Sequence, residues 1–313
     1  MCTPEFAVET LRVILEAGYK VVAVITAPDK PSGRGQKLKF SPVKEFAIKY
    51  NLPILQPINL KDSEFIDELR NYNSNLQIVV AFRMLPEVIW RIPEHGSVNL
   101  HASLLPQYRG AAPINHVLIN GETETGLTTF FIEKEIDTGK IILAKRVRID
   151  PYDDAGTLHD RLKIEGGKLV LKSIELIQNN EVNAQSQAGA RVDHTAQKTA
   201  PKIFKEDCKI NWHSSCINIH NLIRGLSPFP CAYACLRYPD GLSKQVKIYK
   251  TTYLLESHNK TPGTIITDNK TFLSVVTLDG IIQIEELQVE GKRALNVSDF
   301  LRGIHLSEDF RFE

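Results

Sequence analysis

Through its first 180 residues the chain alternates short β-branched runs with stretches of helical period, and beyond residue 203 turn-punctuated strands take over. That switch in period constrains the fold more than any other feature. Alternating strands and helices favour parallel pairing, because each crossover returns the chain to the same edge and leaves a helix covering the sheet. Strand-like runs lie at Lys20 to Thr26, Gln77 to Ala81, Ser97 to Leu100, Leu127 to Glu133 and Ile141 to Ile149. Thr3 as N-cap, Pro4 behind it, and apolar Ala7, Leu11 and Ile14 before Gly18 predict a first helix. Ser41-Pro42 opens a second carrying Val43, Phe46 and Ala47; Phe65, Ile66 and Leu69 mark a third, and Pro113 to Asn120 a fourth. Leu158, Leu162, Leu169, Val170, Ile174 and Ile177 predict a long amphipathic helix over 157–179.

Asn180 to Pro201 is rich in Gln, Asn, Ala, Ser and Thr and has no sustained apolar period, which reads as a linker. A short helix over 214–224 follows, and then strand-like runs at Ala232 to Tyr238, Val246 to Thr252, Gly263 to Thr267, Leu273 to Thr277 and Ile281 to Leu287. Turn residues separate them, among them Pro239-Asp240-Gly241, Pro262-Gly263 and Asp279-Gly280, so a small five-stranded barrel is expected. The expected organisation is an α/β domain over 1–180, Rossmann-like, with a mostly parallel sheet and helices on both faces. A linker over 181–202 and a small OB-like β-barrel over 203–313 complete it.

At 313 residues the chain is long enough for two domains with separate cores. Its longest apolar runs, such as Val21 to Ala27, are too short to cross a bilayer, and Met1-Cys2-Thr3-Pro4-Glu5 has neither a basic nor an apolar leader region. A cytoplasmic location is expected. The five cysteines, Cys2, Cys208, Cys216, Cys231 and Cys235, are odd in number and suggest reduced thiols; Cys231-x-x-x-Cys235 lacks a partner pair at zinc-site spacing, so no metal is assigned. Net charge is only +1, so any polyanion must be held by a local patch. One candidate is Lys30, Arg34, Lys37, Lys39, Lys44 and Lys49, set against the single acid Glu45; a solvated loop would look the same.

The most informative segment is Ser97-Val98-Asn99-Leu100-His101-Ala102-Ser103-Leu104-Leu105-Pro106. Residues two apart on a strand share a face, so Asn99 and His101 project together at the strand's C-terminal end, where open parallel sheets bind ligands. An amide donor beside an imidazole suits acyl transfer: the first steadies an oxyanion while the second moves protons. A core histidine satisfied by backbone would also account for the spacing. Downstream, Asp137 in Glu135-Ile136-Asp137-Thr138-Gly139 follows a strand run and could meet His101 and orient it; Asp-Thr-Gly is equally ordinary turn chemistry.

The run SVNLHASLLPQYRGAAPINHVLINGETETGLTT at 97–129, followed by EIDTGKII, resembles the core of the folate-dependent formyltransferases. TPEFAVETL, APDKPSGRGQKLKFSPVKEFA, IHNLIRGLSPFP and GKRALNVSDFLRG extend the likeness over nearly the whole chain, and to the branch of the family that formylates methionyl initiator tRNA. The resemblance implies catalytic roles for Asn99, His101 and Asp137, and folate contacts at Ser103, Leu104, Leu105 and Pro106 and at Phe82, Arg83, Met84 and Leu85. It implies 10-formyltetrahydrofolate as formyl-donor substrate, a monomer, and tRNA contacts at Arg34, Lys37, Lys39, Lys202 and Lys205. Two departures stand out. The family opens with a short apolar strand leading into Gly-Thr-Pro, whereas Met1 here directly precedes Cys2-Thr3-Pro4, so that central strand is expected to be lacking. Phe82-Arg83 also replaces a commonly seen Tyr-Gly pair.

The implied chemistry is attack of the methionyl amine on the formyl carbon, with Asn99 and His101 steadying the oxyanion, Asp137 taking the amine proton and His101 helping N10 of the folate to leave. A formyltransferase for an amino sugar nucleotide and a non-catalytic RNA-binding module are the rival readings. The basic loop argues against the first, and the joint presence of Asn99, His101 and Asp137 against the second.

Overall fold

Local chemistry sets the helix starts in the first half of the chain. α1 (Phe6–Glu16) buries Ala7, Leu11 and Ile14. Two strand pieces follow it, β1 (Val24–Ile25) and the hairpin of β2 (Lys30–Ser32) with β3 (Lys37–Lys39). α2 (Pro42–Lys49) is capped by Ser41, whose hydroxyl accepts from Lys44 N at 3.1 Å, with Pro42 in the first turn as predicted. After β4 (Ile54–Leu55), α3 (Ser63–Asn71) is capped by Asp62 and buries Phe65, Ile66 and Leu69. Then come β5 (Gln77–Val80), the short α4 (Glu87–Trp90), β6 (Ser97–His101), β7 (Arg109–Gly110) and α5 (Pro113–Ile119). β8 (Glu124–Phe131), β9 (Ile141–Arg148) and the long α6 (Ala155–Gln178) complete this half. These elements come from a computed structural model that describes residues 1, 5–32, 37–187 and 197–313. Thr3, Pro4 and Cys2 lie outside the described residues.

The chain divides into two units. The first is Met1–Gly110, Glu124–Arg148 and His159–Thr199; the second is Ala111–Thr123, Ile149–Leu158 and Ala200–Glu313. In the first unit β1 pairs in parallel with β4, and β5 in parallel with β6, as strand and helix alternation requires. The sheet then continues antiparallel through β8 and β9. The nine residues from Ile132 to Lys140 are too few for a crossover, so β8 and β9 form a hairpin. Helices cover both faces: Ile25, Leu55, Val79 and Ile89 pack with Phe65, Ile66 and Leu69 of α3, while Val98 and Ile142 pack with Ile177 of α6.

Lys20 to Thr26 forms a strand only at Val24–Ile25. Its far edge faces a cavity of about 760 Å³ lined by Leu11, Val21, Val24, Ile78 and Ile174, and by Met1. Met1 takes up a little of that gap, since its amine donates to Ile78 O at 2.6 Å and its carbonyl accepts from Val80 N at 3.0 Å. Thr10 Oγ1, Ser74 Oγ and Gln77 Nε2 are buried around it with no hydrogen-bond partner among the described residues. The β1–β4 and β5–β6 pairs are therefore separate sheets, with that gap between them.

The second unit follows the two-residue β10 (Thr199–Ala200) and a 3-10 turn at Glu206–Cys208. α7 (Cys216–Leu226) is capped by Ser215 and begins two residues later than predicted. The strands are β11 (Ala232–Arg237), β12 (Ser243–Leu255), β13 (Ile265–Thr267), β14 (Leu273–Val276), β15 (Gly280–Val289) and β16 (Leu295–Asn296), then α8 (Val297–Leu301) and β17 (Arg311–Phe312). All pair antiparallel in the order β13-β14-β15-β12-β11-β17, with β16 on β15. Phe312 N donates to Gly263 O at 3.0 Å and Arg311 bridges Thr264, which brings the last strand back to the first and nearly closes a barrel. Gly263 has φ +87, and a Cβ there would stand 2.3 Å from Phe312 O, so the closure requires glycine. Ile210, Trp212, Ile219, Ile223, Leu236 and Ile248 form the core inside it.

Candidate active site

Alternation along β6 sends Val98 and Leu100 toward α6 and leaves Ser97, Asn99 and His101 on the opposite face. Gly166 on α6 admits Leu100; a Cβ there would come within 2.8 Å of its Cδ2. Asn99 is half-buried at the middle of the strand, and no hydrogen bond among the described residues ties down its carboxamide. Beside it β5 ends at Val80, and the Phe82–Leu85 loop leaves from there, Val79 being Asn99's partner in register. Leu85 is buried, Phe82 half-buried and Met84 exposed. Arg83 turns away to the backbone, donating from Nη1 to Ile58 O at 3.0 Å and from Nη2 to Pro57 O.

His101 is buried, and its Nε2 lies 2.8 Å from Tyr108 O. A carbonyl only accepts, so Nε2 donates there and Nδ1 is the nitrogen left to the site. Nδ1 stands 3.8 Å from Asp137 Oδ2, beyond a direct hydrogen bond but within ionic contact. The same carboxylate oxygen accepts from Gly110 N at 3.1 Å. Asp137 adopts φ +56, a left-handed conformation that Asp tolerates better than most residues. The turn that carries it is wedged against β8: a Cβ on Gly139 would sit 1.7 Å from Phe131 O. Thr138 Oγ1 donates to Glu135 O at 3.1 Å. His101 and Asp137 thus come together at the end of β6, and Asn99 lies on the same face of that strand as His101.

Below them, the Ser103–Pro106 loop is held by Thr128, whose hydroxyl donates to Ser103 O at 2.7 Å and accepts from Leu105 N at 3.2 Å. Ser103 Oγ donates to Gln107 O at 2.6 Å; Ser103, Leu105 and Pro106 are buried and Leu104 is half-buried. One residue missed by sequence reasoning belongs here. Gln187, in the stretch expected to be a linker, is buried, with Nε2 donating to Asp137 O at 3.0 Å and Gly139 O at 2.8 Å. Its segment has no apolar period, and its partners lie about fifty residues away, so no local signal marks it.

Of the basic residues assigned to tRNA, Arg34 lies outside the described residues and Lys37 is described only as backbone of β3. Lys39 is exposed. In the second unit Lys202 and Lys205 are exposed, and Lys202 Nζ lies 5.2 Å from the ring centroid of the exposed Phe204. Burial pushes the Cys216 thiol up to about 11 and the Cys231 thiol up to about 12, which makes both poor nucleophiles. The four described cysteines are free, and no group of three potential metal ligands occurs among the described residues.

Two family models match the chain, Formyl transferase over residues 4–174 and Formyl transferase, C-terminal domain over residues 202–305. The methionyl-tRNA formyltransferase of Bacteroides thetaiotaomicron is 50% identical over 311 residues, covering 99% of this chain and 96% of its own. That of Bacteroides fragilis is 50% identical over 313 residues, covering 100% and 96%. Among solved structures, a sugar 3N-formyltransferase, WlaRD, determined with dTDP and 5-N-formyl-THF, superposes with a TM-score of 0.63. It is 23% identical and covers 93% of this chain and 96% of its own, which shows a shared fold.

Proposed function

The chain belongs to the formyl transferase family through both of its domains, and from that premise we propose that it transfers the formyl group of 10-formyltetrahydrofolate to the amino group of methionyl initiator tRNA. The observation that carries this reading is the 50% identity to methionyl-tRNA formyltransferases, which runs through the C-terminal domain as well as the catalytic one. The reaction serves translation initiation in the cytoplasm, and the enzyme acts as a monomer that needs no metal.

In this proposal the neutral amine attacks the formyl carbon, forming the new C–N bond as the carbonyl oxygen gains charge. The Asn99 carboxamide, which no described residue holds, donates to that oxygen. Asp137 accepts the proton lost by the amine, with its carboxylate fixed by Gly110 N. His101 has Nε2 occupied by Tyr108, so its Nδ1 relays a proton to N10 of the folate as the old C–N bond breaks. The pterin-bearing substrate would lie between the Ser103–Pro106 and Phe82–Leu85 loops, which flank Asn99. Lys39, Lys202 and Lys205, with Arg34 and Lys37, would attract the tRNA backbone.

A second reading, formylation of an amino sugar nucleotide, is favoured by the fold shared with WlaRD over both chains. The deciding assay offers purified protein 10-formyltetrahydrofolate with charged initiator tRNA, glycinamide ribonucleotide or an amino sugar nucleotide. Turnover confined to the tRNA is the expected result; preferential turnover of the sugar nucleotide would overturn it.

A further inference from the structure

Residues 175–201 fall outside both matched family models, yet part of this stretch is built into the site. Gln185 exchanges both backbone hydrogen bonds with Ile141, each at 2.8 Å, which pins the segment beside the start of β9. Two residues on, Gln187 is 6% exposed and its carboxamide is fully engaged. Arg109 Nη2 donates to its Oε1 at 2.5 Å. A guanidinium can only donate, so the amide oxygen must face Arg109 and the amide nitrogen must face the two carbonyls, Asp137 O and Gly139 O.

Those carbonyls flank Thr138 in the turn that carries Asp137, which is held at φ +56. Left-handed backbone at a non-glycine residue persists where its surroundings fix it, and here Gln187 supplies two of the donors that do so. Backbone conformation at Asp137 sets the direction of its carboxylate, which must reach Gly110 N and His101 Nδ1 together. Without the two donors, both carbonyls would lose their partners, and the turn would relax toward other dihedrals.

We infer that Gln187 is a positioning residue for formyl transfer: by binding the backbone on both sides of Thr138 it aims the Asp137 carboxylate at His101. This inference rests on the reading of Asp137 as a catalytic group. Its own signature is dependence on Asp137. Once that carboxylate is gone, aiming it should no longer matter.

The test measures single-turnover formylation of charged initiator tRNA by the full chain carrying Gln187→Ala, Gln187→Glu, Asp137→Asn and each double substitution. Asn tolerates positive φ, so Asp137→Asn removes the carboxylate and keeps the turn. Gln187→Glu preserves volume and the acceptor facing Arg109, but its carboxylate cannot donate to the carbonyls, so it guards against an Ala variant that does not fold. Each Gln187 substitution should slow the step by about tenfold to a hundredfold, the scale of a small misplacement in a reacting group. Folate and tRNA affinities should stay within about twofold, and the effect should disappear when Asp137 is already Asn. A wild-type rate in both Gln187 variants, or an equal slowing in both backgrounds, would overturn the inference. A wild-type rate in Asp137→Asn would overturn the catalytic reading of Asp137 and the positioning role with it.

Discussion

His101 donates from Nε2 to the carbonyl oxygen of Tyr108 at 2.8 Å, and that bond fixes which ring nitrogen the site can use. In the neutral ring Nδ1 then carries the lone pair, and it is the nitrogen that faces Asp137 Oδ2. Asn99→Ala, His101→Ala and Asp137→Ala should each lower turnover by about two orders of magnitude or more. Asn99→Ala should leave the thermal midpoint nearly unchanged, because its carboxamide has no bond to lose among the described residues. His101→Ala should also lower the midpoint, since it removes the buried Nε2 bond to the Tyr108 carbonyl. Steady-state kinetics beside calorimetry checks the set; near-normal turnover in His101→Ala would remove the histidine from the mechanism.

The cavity of about 760 Å³ between β1 and β5 predicts a weak point in the first unit. Apolar Leu11, Val21, Val24, Ile78 and Ile174 line it together with the buried Thr10 Oγ1, Ser74 Oγ and Gln77 Nε2, which have no partner among the described residues, so both packing and hydrogen bonds are forgone there. Adding five to eight apolar, strand-forming residues ahead of Met1 should raise Tm by several degrees or more, as recovery of a few kcal/mol would. The same extension should suppress binding of a hydrophobic dye. An unchanged Tm would show that the gap is not a source of instability.

In the second unit His220 provides a pH dependence of stability. Burial first, and the neighbouring Arg224 second, push its pKa down to about 4, with Glu285 opposing them; Nδ1 meets Thr251 Oγ1 at 3.0 Å. A free histidine titrates near 6.5, so between roughly pH 6.5 and 4 the unfolded chain binds the proton more readily than the folded one. Stability from this group is complete above about pH 6.5 and is lost as pH falls toward 4, by up to about 3 kcal/mol. Urea unfolding followed by Trp212 fluorescence in a Trp90→Phe background should show that slope, and His220→Gln should flatten it. An identical slope in the variant would assign the effect elsewhere.

Which parts of this fold and site the sequence announces depends on the range of the interactions that make them. Ser41-Pro42 starts α2 because a hydroxyl and a fixed φ act within one turn, and the period-two pattern of β6 puts Asn99 and His101 on one face by local geometry alone. Direction of pairing is another matter. Nothing in the apolar runs of β8 and β9 distinguishes parallel from antiparallel, and only the short Ile132–Lys140 connection reveals the hairpin. Gln187 is the extreme case, since its role comes from Asp137 and Gly139, 50 and 48 positions away, and a lone glutamine in a polar stretch carries no periodic signal.

Arg34 lies outside the described residues, but what flanks it is anchored. Lys30 pairs with Lys39 in the β2–β3 hairpin, and at its base Gln56 Nε2 donates to Asp29 Oδ1 at 2.9 Å and to Ala27 O at 2.8 Å. Lys44, which also donates to Gln56 Oε1 at 2.7 Å, holds the Asp29 carboxyl below the usual carboxylate range, with Gln56 adding to it. The described residues on either side of Arg34 thus belong to the unit that carries Asn99, His101 and Asp137. A guanidinium there can pair bidentately with phosphate or stack on an unpaired base at the tRNA acceptor end, neither of which an ammonium reproduces. Arg34→Ala should therefore lower kcat/KM for charged initiator tRNA by about tenfold or more while folate affinity stays within about twofold, and Arg34→Lys should recover only part of the loss. Lys39→Ala should cost less, and its effect should fade as salt rises, because a single phosphate contact contributes through counterion release. If Arg34→Ala matches the unsubstituted chain on tRNA at low and high salt, the segment has no part in holding the acceptor end.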